Sequence, residues 1–400
     1  MLIKLIVSSF PFACLYTISG ISVIDELIAL GFIIYIIFFG ERVKWEPRNF
    51  LNIFFVASLF ICLWGLLFWD IKGLRVGVLF LAMLFLKEHL DKLYLENFRY
   101  MILGTTIAVL YQIWLSGISV NTAENFYAED WAWQSTVWAG TAYAAYVFGA
   151  MYLLILMHPK AKATTINQAV VFMLGALILL ASIGMDSRML LYTMMATLPI
   201  PGYNLLLISF RKTDSALRLN LSTFLLFSIA ALIAGSIFSV SLGGGLPSIL
   251  GTDGDLEEKI ESVDRLVFIL RYLEYVQSDF LRALLPQGLY SHQYILIDFI
   301  DYGGGNRVRP TGIIAVLVDF GILLTLSLGI WLFKVSLRGL RSPAMEIQKK
   351  IIFLLFIAFI PFSLLITNLH ECMLFFVSLL FLDLVIRNNF SQITAKPSVE

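Results

Sequence analysis

The feature that most constrains this chain is a series of apolar runs, each roughly 17–22 residues long, a length that crosses a bilayer core of about 30 Å as a helix. Hydrophobic residues make up 59% of the sequence and charged residues 14%, compared with about 45–50% and about 25% in ordinary soluble domains. The sequence therefore predicts an all-α fold, a polytopic transmembrane helix bundle.

Twelve spans are predicted, divided by one long polar loop. Spans one to nine fall within residues 1–240, the loop covers 241–310, and three spans and a tail follow in 311–400. Pro199 and Pro201 predict a break or kink in the eighth span. The predicted spans are residues 4–20, 21–40, 50–69, 73–87, 100–116, 138–157, 167–184, 189–210, 219–240, 311–333, 351–367 and 371–386.

The positions of the basic residues predict the orientation of these spans. Nineteen of the 28 Lys and Arg residues fall in segments on the same side as the N-terminus, and nine on the other side. Because cytoplasmic loops carry the excess of Lys and Arg, both termini are predicted to be cytoplasmic and the 241–310 loop to be outside. The net charge is zero, with 28 acidic residues, so no nucleic-acid partner is indicated. Cys14, Cys62 and Cys372 lie within apolar runs, without the spacing of a disulfide or zinc framework.

The outer loop is predicted to be partly helical, over about residues 256–285. Asp255 and Glu258 have the spacing of a capping box, and Pro286 ends the pattern. At 100° per residue, Arg271, Tyr275, Ser278 and Arg282 share one side of this helix, whereas Arg265 lies on another.

Three more arginines, a pair and a single residue, are predicted on the outer side. Gly303–Gly305 beside Arg307 and Arg309 has the composition of an anion cradle, although such glycines also form plain turns. Arg188 lies at the outer mouth of spans seven and eight, where it either pairs with Asp186 or faces phosphate. Since arginine binds phosphate oxygens in a bidentate manner, these arginines indicate a substrate that is an anion anchored in the bilayer, either a polyprenyl diphosphate or a phospholipid.

The arrangement resembles that of the bacterial polytopic O-antigen polymerases (the Wzy type) and the related O-antigen ligases. The resemblance covers about twelve spans, a Ser187–Arg188 connection, a large periplasmic loop with Arg265 and Arg271, and the sequence Gly321–Leu324 in span ten. It implies an inner-membrane glycosyltransferase that acts on undecaprenyl-diphosphate-linked oligosaccharides at the periplasmic face. Transfer in this family is inverting and independent of metal, and no cofactor is expected. Arginine side chains would stabilise the diphosphate leaving group, and a chain-length regulator is a potential partner.

The general base remains open among several residues. His292, Asp298 and Asp301 are the candidates near the end of the loop, and Glu274 lies on the predicted loop helix. The ligases usually carry a His–Asn pair before the tenth span, where this chain reads Arg-Pro-Thr-Gly at 309–312. The polymerase is therefore favoured over the ligase.

A polysaccharide flippase or secondary transporter is the main alternative from another class. Asp319, an acidic residue within span ten, is the best argument for it. A structural hydrogen bond from Asp319 to a Ser or Thr on a neighbouring segment would explain the same residue.

Overall fold

The structure, a computed structural model, describes residues 2–12, 24–39, 49–68, 73–116, 141–185, 187–210, 264–296, 312–343, 345–364 and 372–394. The described residues are almost all helical, and none of them belongs to a β-strand, so the all-α prediction is confirmed for them. The α-helices are α1 (Leu2–Ser9), α2 (Ile24–Phe39), α3 (Phe50–Phe68), α4 (Gly73–Glu96), α5 (Phe98–Ser116), α6 (Thr141–Met157), α7 (Thr165–Gly184), α8 (Arg188–Thr197), α9 (Pro199–Phe210), α10 (Asp264–Ser278), α11 (Phe280–Leu284), α12 (His292–Ile295), α13 (Gly312–Arg341), α14 (Ile347–Leu364) and α15 (Met373–Thr394).

Four of the described helices are long enough and apolar enough to cross a membrane. They are Phe50–Phe68, Thr165–Ser182, Gly312–Arg341 and Ile347–Leu364. These helices match predicted spans three, seven, ten and eleven and support a membrane protein. The total of twelve spans and the orientation of the termini stay predictions, and the ninth predicted span, 219–240, lies outside the described residues.

The chain divides into two compact units. The described part of the first unit contains α1, the end of α4, α5 to α9 and most of α14. The described part of the second unit contains α2, α3, most of α4, α10 to α13, the end of α14 and α15.

The first unit is built around α6, whose side chains from Tyr143 to Met157 are all buried. α5 packs on α1, α6 and α7, and α7 packs on α8 and α9. The Tyr146 ring stacks on Phe359 at a centroid distance of 5.6 Å. An apolar helix buried on every side is expected at the centre of a helix bundle.

The predicted break in span eight is confirmed, since α8 ends at Thr197 and α9 begins at Pro199. Leu198 between them keeps α-helical angles, φ −59° and ψ −36°. Pro199 and Pro201 lie in the first turn of α9. Backbone N–H groups in the first turn of a helix have no acceptor within the helix, so proline, which lacks the N–H, is tolerated there. The span is therefore interrupted without reversing direction.

The second unit contains the described part of the outer loop. The continuous helix predicted for 256–285 is divided in two: α10 ends at Ser278, and Asp279 begins α11 by accepting a hydrogen bond from the backbone N–H of Arg282 at 3.0 Å. Residues 256–263, with the predicted capping Glu258, lie outside the described residues, as does Asp255. Both described loop helices pack on α13, and this contact positions the site described next.

Candidate functional site

The most unusual local structure in the second unit is a buried turn at residues 288–292, between α11 and α12. All five residues are buried, although the segment is polar and largely non-helical. Tyr290 adopts φ +67°, in the left-handed region that side chains other than glycine rarely occupy. Polar backbone inside a membrane protein requires partners within the protein, so each donor of the turn must be accounted for.

One side of the buried turn lies against helix α3. The backbone N–H of Leu289 donates to the carbonyl of Ile61 at 3.4 Å. A Cβ atom on Gly65 would come within 2.6 Å of the Leu289 carbonyl oxygen, and Gly288 adopts φ +102°. The two glycines therefore allow the backbones to touch, in the manner of small residues at helix contacts in membranes.

The other side of the buried turn is held by Asp319 of α13. Its carboxylate accepts hydrogen bonds from the backbone N–H of Tyr290 at 3.1 Å, from that of His292 at 3.0 Å and from the Ser291 hydroxyl at 3.0 Å. The His292 ring Nδ1 lies 2.9 Å from Asp319 Oδ2. The Asp319 carbonyl also accepts from the Gly288 N–H at 3.2 Å. One acidic side chain thus organises the whole turn, and the predicted hydrogen bond to a neighbouring Ser or Thr is confirmed at Ser291.

Helix α13 is broken next to this carboxylate. Gly321 has φ +72° and ψ 161°, far from helical values. A Cβ atom at this position would lie 2.5 Å from the Leu285 carbonyl carbon. The predicted span 311–333 is therefore two helical segments, Gly312–Phe320 and 322–341. The break provides the space in which the chain between α11 and the buried turn crosses α13.

His292 and Asp319 form a fully buried pair, since both side chains are 0% exposed. A carboxylate acceptor assigns the ring proton to Nδ1, because Asp319 Oδ2 can only accept. A carboxylate in this position orients an imidazole and stabilises the imidazolium that forms when the other nitrogen, Nε2, takes up a proton. The pair therefore has the arrangement of a general base and its positioning residue, and both side chains are closed to solvent in this structure.

The described arginines of the loop differ in their surroundings. Arg282 is exposed, and its Nε donates to the Gln287 side-chain oxygen at 3.0 Å. Gln287 directly precedes the buried turn, so this hydrogen bond holds the Arg282 side chain near the start of the turn. Arg271 pairs with Glu274 at 2.8 Å on the surface of α10. The base candidate Glu274 is thus the partner of an arginine, and Arg282 is the cation nearest in sequence to the buried turn.

Two tyrosines that the sequence did not predict to be buried lie on the buried face of α10. Tyr272 and Tyr275 pack with Ile295, Ile314 and Val318. Within the described part of the chain, neither phenol oxygen has a hydrogen-bond partner. Burial raises the pKa of Tyr272 to about 12, with a smaller contribution from Tyr275, and burial also raises the pKa of Tyr275. Both groups are therefore neutral donors at physiological pH. Tyr275 was predicted to share a polar stripe with Arg271, but the structure buries it.

The change Tyr275→Phe tests whether this phenol binds a ligand. If the hydroxyl has only a structural role, removing an unsatisfied buried polar group should leave the free energy of unfolding unchanged or raise it by up to about 1 kcal/mol. We expect this stability, measured by thermal unfolding in detergent, together with reduced activity in the assay of the function proposed below. A variant that is as stable and as active as the parent would exclude Tyr275 from the site. Tyr152→Phe, which removes a buried phenol of the first unit that has no hydrogen-bond partner among the described residues, serves as the control.

The structure describes only the backbone of two of the remaining predicted site residues. Arg188 begins α8 directly after Ser187, and Arg265 lies in the first turn of α10, but their side chains are not among the described ones. The candidates outside the described residues are Asp298, Asp301, Arg307 and Arg309. Their roles stay predictions. Of the predicted residues, Arg282 and His292 have described side chains and lie ten positions apart in the sequence, on either side of Gly288.

The fold and the site together define an α-helical membrane protein with a buried, hydrogen-bonded acid–imidazole pair. In comparisons with known proteins, no family matches the chain and no curated protein is significantly similar to it. The function therefore has to be argued from the residues themselves.

Proposed function

We propose that the chain is a surface-polysaccharide polymerase of the O-antigen type, a glycosyltransferase that transfers an undecaprenyl-diphosphate-linked oligosaccharide onto the next repeat unit. The observation that supports it most directly is the buried His292–Asp319 pair, 2.9 Å apart, at the junction of the loop and span ten. Ionisable residues inside membrane segments are costly, so they usually mark a functional site. The exposed Arg282 adds a cation for the diphosphate at the start of the same segment.

The position of Asp319 along α13 supports an outer site. Arg338 and Arg341 lie in the last turn of this helix, at the end that the charge distribution predicts to be cytoplasmic. The unbroken segment 322–338 covers about 24 Å at 1.5 Å per residue, and Asp319 lies just beyond its far end. A bilayer core is about 30 Å thick, so Asp319 comes close to its outer boundary in the predicted orientation. A lipid-linked diphosphate presents its reacting sugar at this level.

The reaction requires two functions from these residues. An acceptor hydroxyl forms a bond to the anomeric carbon while the bond from that carbon to the diphosphate breaks, and the diphosphate leaves with the electron pair. Arg282 stabilises the charge on the departing diphosphate. The hydroxyl proton passes to a base on the opposite face, and His292 Nε2 takes that role with Asp319 stabilising the imidazolium. Because His292 is buried, the acceptor reaches it only when the buried turn opens.

Arginine replacement in the native host tests this proposal. We expect Arg282→Ala to lower polymerisation by about 100-fold, the usual loss when one group that stabilises developing charge is removed. The readout is the chain-length ladder of the surface polysaccharide on a gel. Arg341→Ala, which removes an exposed arginine at the other end of α13, is the matched control and should leave the ladder intact.

The pattern of loss separates the polymerase from its alternatives. A single repeat unit retained on the core, with the long chains lost, supports the polymerase. Loss of all capped core supports an O-antigen ligase that transfers finished polysaccharide to lipid A-core. An unchanged ladder in both Arg282→Ala and His292→Ala would exclude the glycosyltransferase.

A flippase or proton-coupled transporter is the second candidate, and the buried His292–Asp319 pair is also the observation that favours it. Such pairs carry protons in membrane pumps and transporters. In that case, His292→Ala would leave lipid-linked repeat units on the cytoplasmic leaflet. If the chain is the polymerase, the lipid-linked repeat units of the His292→Ala variant accumulate on the outer leaflet, where added glycosidases reach them.

A further inference from the structure

An open cavity of ≈380 Å³ lies in the first unit, away from the site described above. Its volume falls within the range of about 300–1,000 Å³ found for small-ligand pockets. It lies where α4 ends and where α5 and α7 begin, next to the 3-10 helix Pro159–Lys162. The lining residues are Glu96, Phe98, Arg99, Tyr100, Lys160 and Asn167.

The charged side chains that line this cavity are more often basic than acidic. Arg99 and Lys160 are exposed, and Lys4 Nζ lies 5.2 Å from the centre of the Tyr100 ring, within the range of a cation–π contact. Among the described residues, neither Arg99 nor Lys160 forms an ion pair, whereas the nearby Lys162 pairs with Glu346 at 3.0 Å. The lining thus carries two cations against one acidic residue, Glu96, and Lys4 adds a third positive charge beside Tyr100, which leaves an excess of positive charge for an anion.

The backbone that carries Lys160 is fixed from two sides. The Lys160 N–H donates to His158 Nδ1 at 3.0 Å, and the Asn167 side chain donates to the Lys160 carbonyl at 2.7 Å. Burial is the main cause that lowers the pKa of His158 to about 4. The imidazole is therefore neutral at physiological pH, so that Nε2–H donates to the Tyr94 carbonyl at 3.0 Å and Nδ1 accepts. Because the backbone at Lys160 is already held in place, less conformational entropy is lost when a ligand binds there.

An exposed apolar stripe leads away from the cavity along α5. Leu103, Ile107 and Leu110 are each about half exposed and follow Arg99 at helical spacing, so they share its face of the helix. α7, which packs on α5, exposes Ile166 and Met173 in the same way. An anion with acyl chains can therefore place its charged group at Arg99 and its chains along this stripe.

From the cavity, its charge and the stripe, we propose that this site binds an anionic phospholipid, with the headgroup phosphate between Arg99 and Lys160. The charge distribution predicts this end of the spans to be cytoplasmic, and basic pockets at cytoplasmic helix ends bind anionic lipid headgroups. The ligand differs from the outer lipid diphosphate of the proposed reaction, and the two sites lie in different units.

Lipid retention by the purified full-length protein tests the site. Native mass spectrometry after exchange into micelles that contain phosphatidylcholine, phosphatidylglycerol or both should show preferential retention of phosphatidylglycerol. We expect Arg99→Gln and Lys160→Gln each to weaken this binding roughly fivefold, the effect of about 1 kcal/mol per basic residue near a membrane surface. Arg99→Lys and Lys160→Arg keep the charge and should retain most of the binding.

The control is Arg341→Gln, which removes an exposed arginine on the side predicted to be cytoplasmic but outside the cavity. It should retain phosphatidylglycerol as the parent does. Equal losses in all three Gln variants would overturn the proposal, because they would show general surface attraction. Displacement of the lipid by inorganic phosphate at equal concentration would also overturn it, because a free anion would then be the ligand.

Discussion

Replacing Asp319 with Asn is expected to produce the largest single effect, a loss of about 3–5 kcal/mol in the free energy of unfolding together with loss of long-chain polysaccharide. The carboxylate accepts hydrogen bonds from three groups of the buried turn and pairs with the His292 ring. An amide keeps only one oxygen, and its NH2 group would face donors of the turn. Thermal unfolding of the purified protein measures the loss.

Asp383→Asn is the matched control for this change. Asp383 is also an acidic residue in an apolar helix, α15, and it pairs with Arg387 at 2.9 Å. Its side chain is 15% exposed and that of Arg387 41%, whereas the side chains of Asp319 and His292 are fully buried, so Asp383→Asn should destabilise the protein less than Asp319→Asn. Equal destabilisation by the two Asn variants would contradict the organising role that we assign to Asp319.

Replacing Gly321 with Ala is expected to have the second-largest effect, about 3 kcal/mol of destabilisation with reduced polymer formation. Its φ of +72° and ψ of 161° belong to a region that is almost restricted to glycine, where other residues incur about 1–3 kcal/mol of strain. The new Cβ would also lie 2.5 Å from the Leu285 carbonyl carbon, so the backbone before the buried turn must move. Thermal unfolding and the polysaccharide ladder measure the two effects.

The same helix supplies a control for Gly321→Ala. A Cβ atom on Gly329 would meet nothing within 4 Å. Gly329→Ala should therefore be neutral or stabilise the protein by up to about 1 kcal/mol, because alanine is the better helix former. If Gly321→Ala proved as harmless as Gly329→Ala, the break in α13 would not be required for the site.

The helical class of the fold could be predicted from sequence because apolar length is a local property. The pairing of His292 with Asp319 could not, because it joins residues 27 positions apart through the crossing of two segments. Asp319 nevertheless gave a signal, as an acidic residue within an apolar run. The sequence left two explanations open for it, a transporter site and a structural hydrogen bond to a Ser or Thr, and the structure shows such a hydrogen bond from Ser291.

The loop helix shows where the pattern was misleading. Apolar residues continue at helical spacing through residue 284, which predicted one helix, but Asp279 caps a new helix with its own side chain. Such local hydrogen bonds compete with the continuation of a helix. The sequence predicts Tyr275 on a polar stripe, because tyrosine occurs on both the buried and the exposed faces of helices. Its packing against α13 shows that it lies on the buried face.

Reconstitution of the purified full-length protein with an undecaprenyl-diphosphate-linked oligosaccharide tests the proposed function most directly. We predict that the oligosaccharide grows by whole repeat units and releases one undecaprenyl diphosphate for each bond formed. The rate should be unchanged by a metal chelator and lower by about 100-fold in Arg282→Ala. Substrate that keeps its original length, or that crosses the vesicle bilayer intact without release of undecaprenyl diphosphate, would contradict the proposal.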